Sequence, residues 1–156
     1  MTDIKAPELV LLFRPDAFFL KPWRGWGVVR DARGNSIDKY ETRGHGKAGS
    51  RSATTEQVIT FESGLVRTVE WDILTDDEAH YFARDLRTGV EARGHAIGAD
   101  FCWAFTSEVP GPLGKLIRSK TSVHYTLVTE QKAFSFAEVR RLGRLLTTFT
   151  TFYEQL

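Results

Sequence analysis

A single arginine interrupts an apolar strand pattern near the middle of the chain. Arg67 falls in the alternating series formed by Leu65, Val69, Trp71 and Ile73, which is typical of the buried face of a β-strand. A guanidinium on such a face needs a charged or hydrogen-bonding partner, because leaving it unpaired costs several kcal/mol. We therefore expect Arg67 either to form a structural ion pair or to hold the carboxylate or other polar end of an apolar ligand.

A β-hairpin that turns at Ser63-Gly64 supplies the candidate partner of this arginine. A two- or four-residue loop there places Thr60 opposite Arg67 and Glu56 opposite Trp71, and both loop lengths give the same register. Glu56 then lies on the same inward face as Arg67. Glu62 lies on that face too, so the sequence predicts that Arg67 meets Glu56 or Glu62 inside the fold, as a structural pair or as part of a ligand site. The alternative is that this face of the hairpin points outward.

Aromatic residues are unusually frequent, with 11 Phe, 4 Trp and 4 Tyr in 156 residues. In a small barrel such rings fill the interior or line a pocket for an apolar molecule. Trp23, beside Pro22, is expected to plug one end of the barrel. The candidate ligand-binding residues are Arg67, Glu56, Trp71, Trp26, Trp103 and Tyr125.

Recognisable catalytic and metal-binding patterns are lacking. The sequence contains no Gly-x-Ser-x-Gly, no phosphate-binding glycine loop and no His-Glu-x-x-His motif. The four histidines have no metal-ligand spacing, and the single thiol, Cys102, lies in an apolar setting that raises the pKa of a thiol. We expect no metal and no cofactor. An enzyme that uses Asp85, Glu56 or a histidine to move protons in the same cavity stays an alternative.

Length and charge limit the function further. The 156 residues fit one domain, 1–156, in which residues 1–22 form an irregular lead segment. The 21 Lys and Arg nearly balance the 20 Asp and Glu, which argues against a protein that binds nucleic acid by neutralising many phosphates. No apolar run is long enough for a membrane span or a signal-peptide core, so we expect a cytoplasmic protein.

Short strands must position these residues. No proline occurs between Pro22 and Pro110, and turn signals separate segments of strand composition throughout that region. The predicted strands are 26–30, 36–43, 54–62, 65–74, 80–86, 90–96, 101–107 and 122–129. Near the C-terminus, two strands joined at Gly143 are favoured over a closing helix that starts near Ser135. The fold prediction is all-β, an antiparallel lipocalin-like β-barrel of about eight to ten strands.

Several short motifs follow one another in a fixed order. They are the paired aromatic Phe18-Phe19, the Gly-rich strand 25–30 with a turn at Gly34, Glu56 before a turn at Gly64, Arg67 and Trp71 after it, and the later glycines 94 and 143. In this order they resemble an uncharacterised bacterial family with a lipocalin-like, calycin-type β-barrel. The resemblance covers about residues 18–153. It implies the barrel fold and no established activity.

The leading hypothesis is non-enzymatic binding of a small, largely apolar molecule, anionic ones included, in the barrel cavity. An enzyme that acts on a small molecule in the same cavity is the first alternative. The second is a homo-oligomeric interaction module, a homodimer for example, whose outer faces bear Ile59, Phe61 and Val66. We expect neither nucleic acid nor a membrane as a partner.

Overall fold

Ten strands in the described part of the chain form one closed antiparallel barrel. The computed structural model describes residues 11–76, 79–110 and 114–156. A short helix, α1 (Pro15–Phe18), precedes the strands β1 (Trp23–Asp31), β2 (Ser36–Ala48), β3 (Ser52–Phe61), β4 (Val66–Thr75), β5 (His80–Asp85), β6 (Glu91–Ile97), β7 (Asp100–Pro110), β8 (Leu116–Thr129), β9 (Lys132–Arg141) and β10 (Arg144–Gln155). Each strand pairs with the next, and β1 closes the barrel against β10.

The predicted all-β antiparallel barrel is confirmed, including its two C-terminal strands. β9 and β10 are joined by Leu142 and Gly143, whose φ angles of 49° and 78° are both positive. Two consecutive positive φ angles are the signature of a tight two-residue hairpin and do not occur within a helix. Residues 1–10 of the predicted lead segment and residues 77–78 of a predicted turn lie outside the described residues.

The predicted register of the β3–β4 hairpin is wrong by one residue. The loop has three residues, since the N–H of Phe61 donates to the carbonyl oxygen of Leu65 at 2.9 Å and Gly64 adopts a φ of 98°. A three-residue loop with glycine in the left-handed region shifts the pairing by one position relative to a two- or four-residue loop. Ile59 therefore lies opposite Arg67, and Glu56 lies opposite Glu70.

Aromatic side chains from the segment before β1 close one end of the barrel, called here the plugged end. Phe13 stacks on Phe101 of β7 with ring centroids 5.9 Å apart, and its N–H donates to the carbonyl oxygen of Gly98 at 2.8 Å. Phe19 packs edge-on against Trp23, which is only 2% exposed. The structure thus confirms Trp23 as part of an end plug, which aromatic residues of the lead segment complete.

The opposite end of the barrel, called here the open end, is less tightly filled. Several side chains that point inward near this end are only half-buried, although Val29, Tyr40 and Ser119 are buried there. The half-buried ones are Ile59, Phe61, Val69, Phe105 and Phe149. At the plugged end, by contrast, Ile73 and Phe101 are 2% and 0% exposed. Part of the inward-facing apolar surface is therefore exposed at the open end.

Candidate functional site

Three of the six predicted ligand-binding residues meet inside the barrel. Trp71 of β4 and Trp103 of β7 have ring centroids 5.0 Å apart, and the ring of Tyr125 on β8 lies 6.2 Å from that of Trp103. Each of these side chains is 8% exposed. They form an aromatic layer between the closed packing of the plugged end and the half-buried side chains of the open end.

Small residues make room for this layer. β5 and β6 separate the strands of the two tryptophans, and they turn Ala83, Ala92 and Gly94 toward the interior. A Cβ atom on Gly94 would lie 2.6 Å from the Cβ of Trp103 and 2.3 Å from the carbonyl oxygen of Cys102. The indoles therefore fill volume that larger side chains on β5 and β6 would occupy.

Arg67 lies on the inward face of β4, as its alternation with Trp71 predicts, but it is not buried. It is exposed at the open end, four residues before Trp71 and roughly 13 Å from it along the strand. Its neighbour across the β3–β4 pair is Ile59. The predicted buried Arg67–Glu56 pair is wrong, because the shifted register turns Glu56 away from the interior.

Trp26 also lies outside the barrel, contrary to the prediction of an interior site. It is 44% exposed, and the guanidinium of Arg24 lies 5.1 Å from its ring centroid. Trp23 and Trp26 are three residues apart on one strand, so they point to opposite faces. Because Trp23 fills the plugged end, Trp26 must point outward, and this strand parity is readable from the sequence.

Hydroxyl groups missed by sequence reasoning line another part of the interior. The hydroxyls of Tyr40 and Thr151 form a short hydrogen bond between β2 and β10, and those of Ser135 and Tyr153 lie 3.2 Å apart. Burial raises the pKa of Tyr40 and that of Tyr153 above 10.0, so both phenols are neutral at physiological pH. The alternation of Thr151 and Tyr153 on β10 is the sequence signal that could have revealed this face.

One interior donor is left without a partner beside the aromatic layer. The indole Nε1 of Trp103 is buried and has no hydrogen-bond partner among the described residues. Burial raises the pKa of the neighbouring Tyr125 phenol well above 10.0, and the Trp103 indole opposes that rise. Buried donors are normally paired, so this N–H is available to an acceptor from outside the chain.

Asp85, the acid considered for proton transfer, faces inward and is 8% exposed. Its Oδ1 accepts a hydrogen bond of 2.9 Å from the backbone N–H of Arg87. The contact closes the turn between β5 and β6, where the carbonyl of Asp85 also accepts from Gly89. This carboxyl group therefore has a structural role at the edge of the interior.

Two cavities among the described residues lie on the outer face of β6, β7 and β8. Their volumes are about 450 and 420 Å³, and both are lined in part by Arg93 and Ala104. The second also contacts His95, Cys102 and His124.

Burial raises the pKa of the Cys102 thiol, as predicted. Within the described ranges no three His, Cys, Asp or Glu side chains are placed to hold a metal.

Only one of the three apolar residues predicted to form the outer surface of an interaction module points outward. Ile59 and Phe61 point inward, whereas Val66 is 57% exposed. Exposed aromatic side chains instead form a row in which Phe152 of β10 pairs with Trp26 on one side and with Phe134 on the other.

An up-and-down barrel with a plug at one end and an aromatic layer facing the other belongs to the class of barrels whose interior holds packed side chains or one small ligand. Within this class the chain belongs to the family DUF3833, proteins of unknown function, whose family model matches residues 6–155. No curated protein matches the chain. No helix in the described residues is long and apolar enough to cross a membrane.

Several solved structures are similar to this fold, among them the following two. A protein of unknown function from the DUF3598 family of Nostoc punctiforme PCC 73102 is 14% identical, with a TM-score of 0.65, and the match covers 94% of this chain and 50% of that protein. The chain thus spans about half the length of that relative, and the likeness shows the fold alone. EF1p2_mFAP2b bound to DFHBI is 9% identical, with 89% and 94% of the two chains covered. The TM-score of this match is 0.46.

Proposed function

We propose that the protein binds a small, largely apolar molecule inside the barrel, between the open end and the Trp71–Trp103 pair. The supporting observation is the difference between the two ends. Inward-facing side chains such as Val69, Phe105 and Phe149 are half-buried near the open end, while the plugged end is closed. Contact with an apolar ligand removes such partly exposed apolar and aromatic surface from water, which lowers the free energy of the complex. We also propose that the barrel is of the calycin type and that the protein is cytoplasmic.

An anionic group on such a ligand belongs at the rim. Arg67 is exposed there on the same strand face as Val69 and Trp71, so a ligand that contacts the aromatic layer extends toward its guanidinium. The cation is in water, where its attraction for an anion is weak and sensitive to salt. In this proposal Arg67 adds selectivity, and the apolar wall supplies most of the affinity.

The other hypotheses have less support. Proton transfer would have to use Asp85, whose carboxyl group already closes a turn. A homodimer would use the exposed row of Trp26, Phe152 and Phe134, and sedimentation velocity over a range of concentrations tests it. A concentration-independent monomer would exclude the homodimer.

The experiment that tests interior binding compares two substitutions that add the same ring on opposite faces of the barrel wall. Ala137 points inward between Val123 and Phe149, whereas Ala104 lines both outer cavities. The fluorescent probe is N-phenylnaphthylamine, which is neutral and apolar. We expect Ala137→Phe to weaken probe binding at least about tenfold and Ala104→Phe to leave it unchanged, because only the first ring occupies the interior.

The reverse pattern would move the site to the outer face and overturn the proposal, as would a wild-type protein that binds no probe. Because an added ring at a buried position costs about 1–3 kcal/mol of stability, Thr121→Phe provides a second test. Thr121 faces inward but is half-buried near Phe105, so the fold tolerates a larger side chain there more readily.

A further inference from the structure

We propose that the part of the bound molecule that reaches the aromatic layer is neutral and carries a hydrogen-bond acceptor, such as a ketone oxygen, that accepts from the indole N–H of Trp103. This inference rests on the proposed function, since it concerns the same interior. It adds the chemical class of the ligand and names the donor that recognises it.

The unpaired indole nitrogen carries the argument. Trp103 is 8% exposed, its Nε1 has no partner among the described residues, and its ring lies 5.0 Å from that of Trp71. A buried N–H without an acceptor is unfavourable, and a ligand oxygen relieves that cost at the moment of binding. An apolar molecule without an acceptor gains contact area at this wall but leaves the donor unpaired.

The position of Trp103 distinguishes it from the other two buried polar atoms without partners, Trp23 Nε1 and Ser119 Oγ. Trp23 is packed between Phe19 and Tyr153 in the plug, where its side chain is 2% exposed. Ser119 is 1% exposed and lies on β8 near the β7–β8 connection, away from the aromatic layer. Of the three, Trp103 is the one that lies in the aromatic layer.

The charges of the interior argue against an anion at this depth. The buried polar side chains of the described residues are Thr42, Thr55, Asp85, Ser119, Ser135 and Thr151. No Lys, Arg or His is among them, and Asp85 lies directly opposite Trp71. A ligand anion there would have no cation to balance it and would lie near an acid, which is costly in a buried site.

A second donor lies beside Trp103. Burial raises the pKa of the Tyr125 phenol well above 10.0, so this hydroxyl keeps its proton at physiological pH. The Tyr125 hydroxyl already interacts with the side chain of Tyr153, so recognition of the ligand's acceptor depends on the indole N–H of Trp103.

The test compares two neutral fluorescent probes on the full-length protein. Acetyl-dimethylaminonaphthalene carries a ketone, and dimethylaminonaphthalene is the same ring system without it. Trp103→Phe keeps an aromatic ring and removes the N–H. We expect it to weaken binding of the ketone about five- to tenfold, the effect of one neutral hydrogen bond, and to change binding of the ketone-free probe less than about twofold.

Trp71→Phe is the matched control, because it reduces a ring of the same wall whose N–H is not among the unpaired buried donors. It should weaken both probes to the same extent. In the unmodified protein, the indole proton resonance of Trp103 should move downfield with the ketone and not with the ketone-free probe. This measurement holds even where a variant fails to fold.

Three outcomes would overturn the inference. Equal losses of affinity for the two probes in Trp103→Phe, or an unmoved indole resonance, would show that no ligand acceptor bonds to the indole N–H. Neither result would contradict binding in the interior. Tighter binding of anilinonaphthalene sulfonate than of the neutral ketone, unaffected by substitution of Arg67, would show that the interior accepts an anion. Failure of the wild-type protein to bind any of these probes would instead refute the proposed function itself.

Discussion

The indoles of Trp71 and Trp103 meet inside the barrel although two strands separate their backbones. Their contact depends on Ala83, Ala92 and Gly94, the small residues that β5 and β6 turn inward beneath them. Large side chains on two strands and small ones on the strands between interdigitate in this way to fill a barrel. The shape of the candidate site is therefore set as much by the small residues as by the tryptophans.

The first prediction concerns Gly94→Ala. The new methyl group would lie 2.3 Å from the carbonyl oxygen of Cys102 and 2.6 Å from the Cβ of Trp103, so the strand or the indole must shift. We expect a loss of about 1–3 kcal/mol in the free energy of unfolding. The near-ultraviolet circular dichroism of the paired indoles should change as well. Urea unfolding and the spectrum of the native state measure the two effects.

Gly34→Ala is the control, because a Cβ there meets nothing within 4 Å while the φ of 88° still disfavours alanine. It should cost about 1 kcal/mol through the backbone and leave the indole spectrum unchanged. A wild-type spectrum in Gly94→Ala would contradict the claim that Gly94 positions Trp103.

Strand locations and turns could be predicted from the sequence because they depend on local composition. The alternation of Val69, Trp71 and Ile73 correctly gave the inward face of β4, and Gly143 correctly marked a hairpin. The pairing between β3 and β4 could not be predicted in the same way. It depends on whether the loop at Gly64 has two, three or four residues, and the odd length turns Glu56 to the outer face.

The distance of a residue from the rim of the barrel could not be predicted from the sequence pattern either. Alternation assigns a face to Arg67 but does not tell how far a residue lies from the rim, so it could not distinguish a buried guanidinium from the exposed one observed. The contribution of the lead segment to the plug was missed for a related reason. Phe13 and Phe18 pack across the barrel end on Phe101 and its neighbours, and such long-range packing has no periodic signal.

The second prediction tests the origin of the register. Gly64 has a φ of 98°, which alanine disfavours and asparagine tolerates better. Gly64→Ala should lower the free energy of unfolding by about 1 kcal/mol, and Gly64→Asn should recover part of that loss. Thermal unfolding of the two variants side by side gives the comparison. Equal stability of Ala and Asn at this position would show that the left-handed conformation does not control the hairpin.

The third prediction concerns alkaline pH. Burial raises the pKa of all four tyrosines, Tyr40, Tyr81, Tyr125 and Tyr153, above the value near 10 that they have in the unfolded chain. The folded state therefore holds phenolic protons that the unfolded state releases. Their contribution to stability is complete below about pH 10 and is lost as the pH rises toward the folded-state values. Each phenol lowers the free energy of unfolding by up to about 1.4 kcal/mol per pH unit.

Tyrosinate absorbance and far-ultraviolet circular dichroism, followed together, measure this effect. We expect the phenols to ionise as the barrel unfolds, and Tyr40→Phe to make the loss of stability less steep. The same variant should lower stability at neutral pH by about 1–2 kcal/mol, because it removes the hydrogen bond to the buried Thr151 hydroxyl. Phenols that ionise near pH 10 in an intact barrel would disprove the assigned burial.

The last prediction concerns Arg67→Leu. Since the guanidinium is exposed at the rim, its loss should change the free energy of unfolding by less than about 0.5 kcal/mol. We expect binding of an apolar carboxylate probe at low salt to weaken about two- to fivefold, and binding of its methyl ester to stay the same. At about 1 M salt the difference should disappear, because the Debye length falls to about 3 Å. Arg43→Leu, at an exposed position on the outer face of β2, is the control and should affect neither probe. If both arginine variants weaken carboxylate binding alike, the anion responds to the overall charge of the protein and not to a group at the open end.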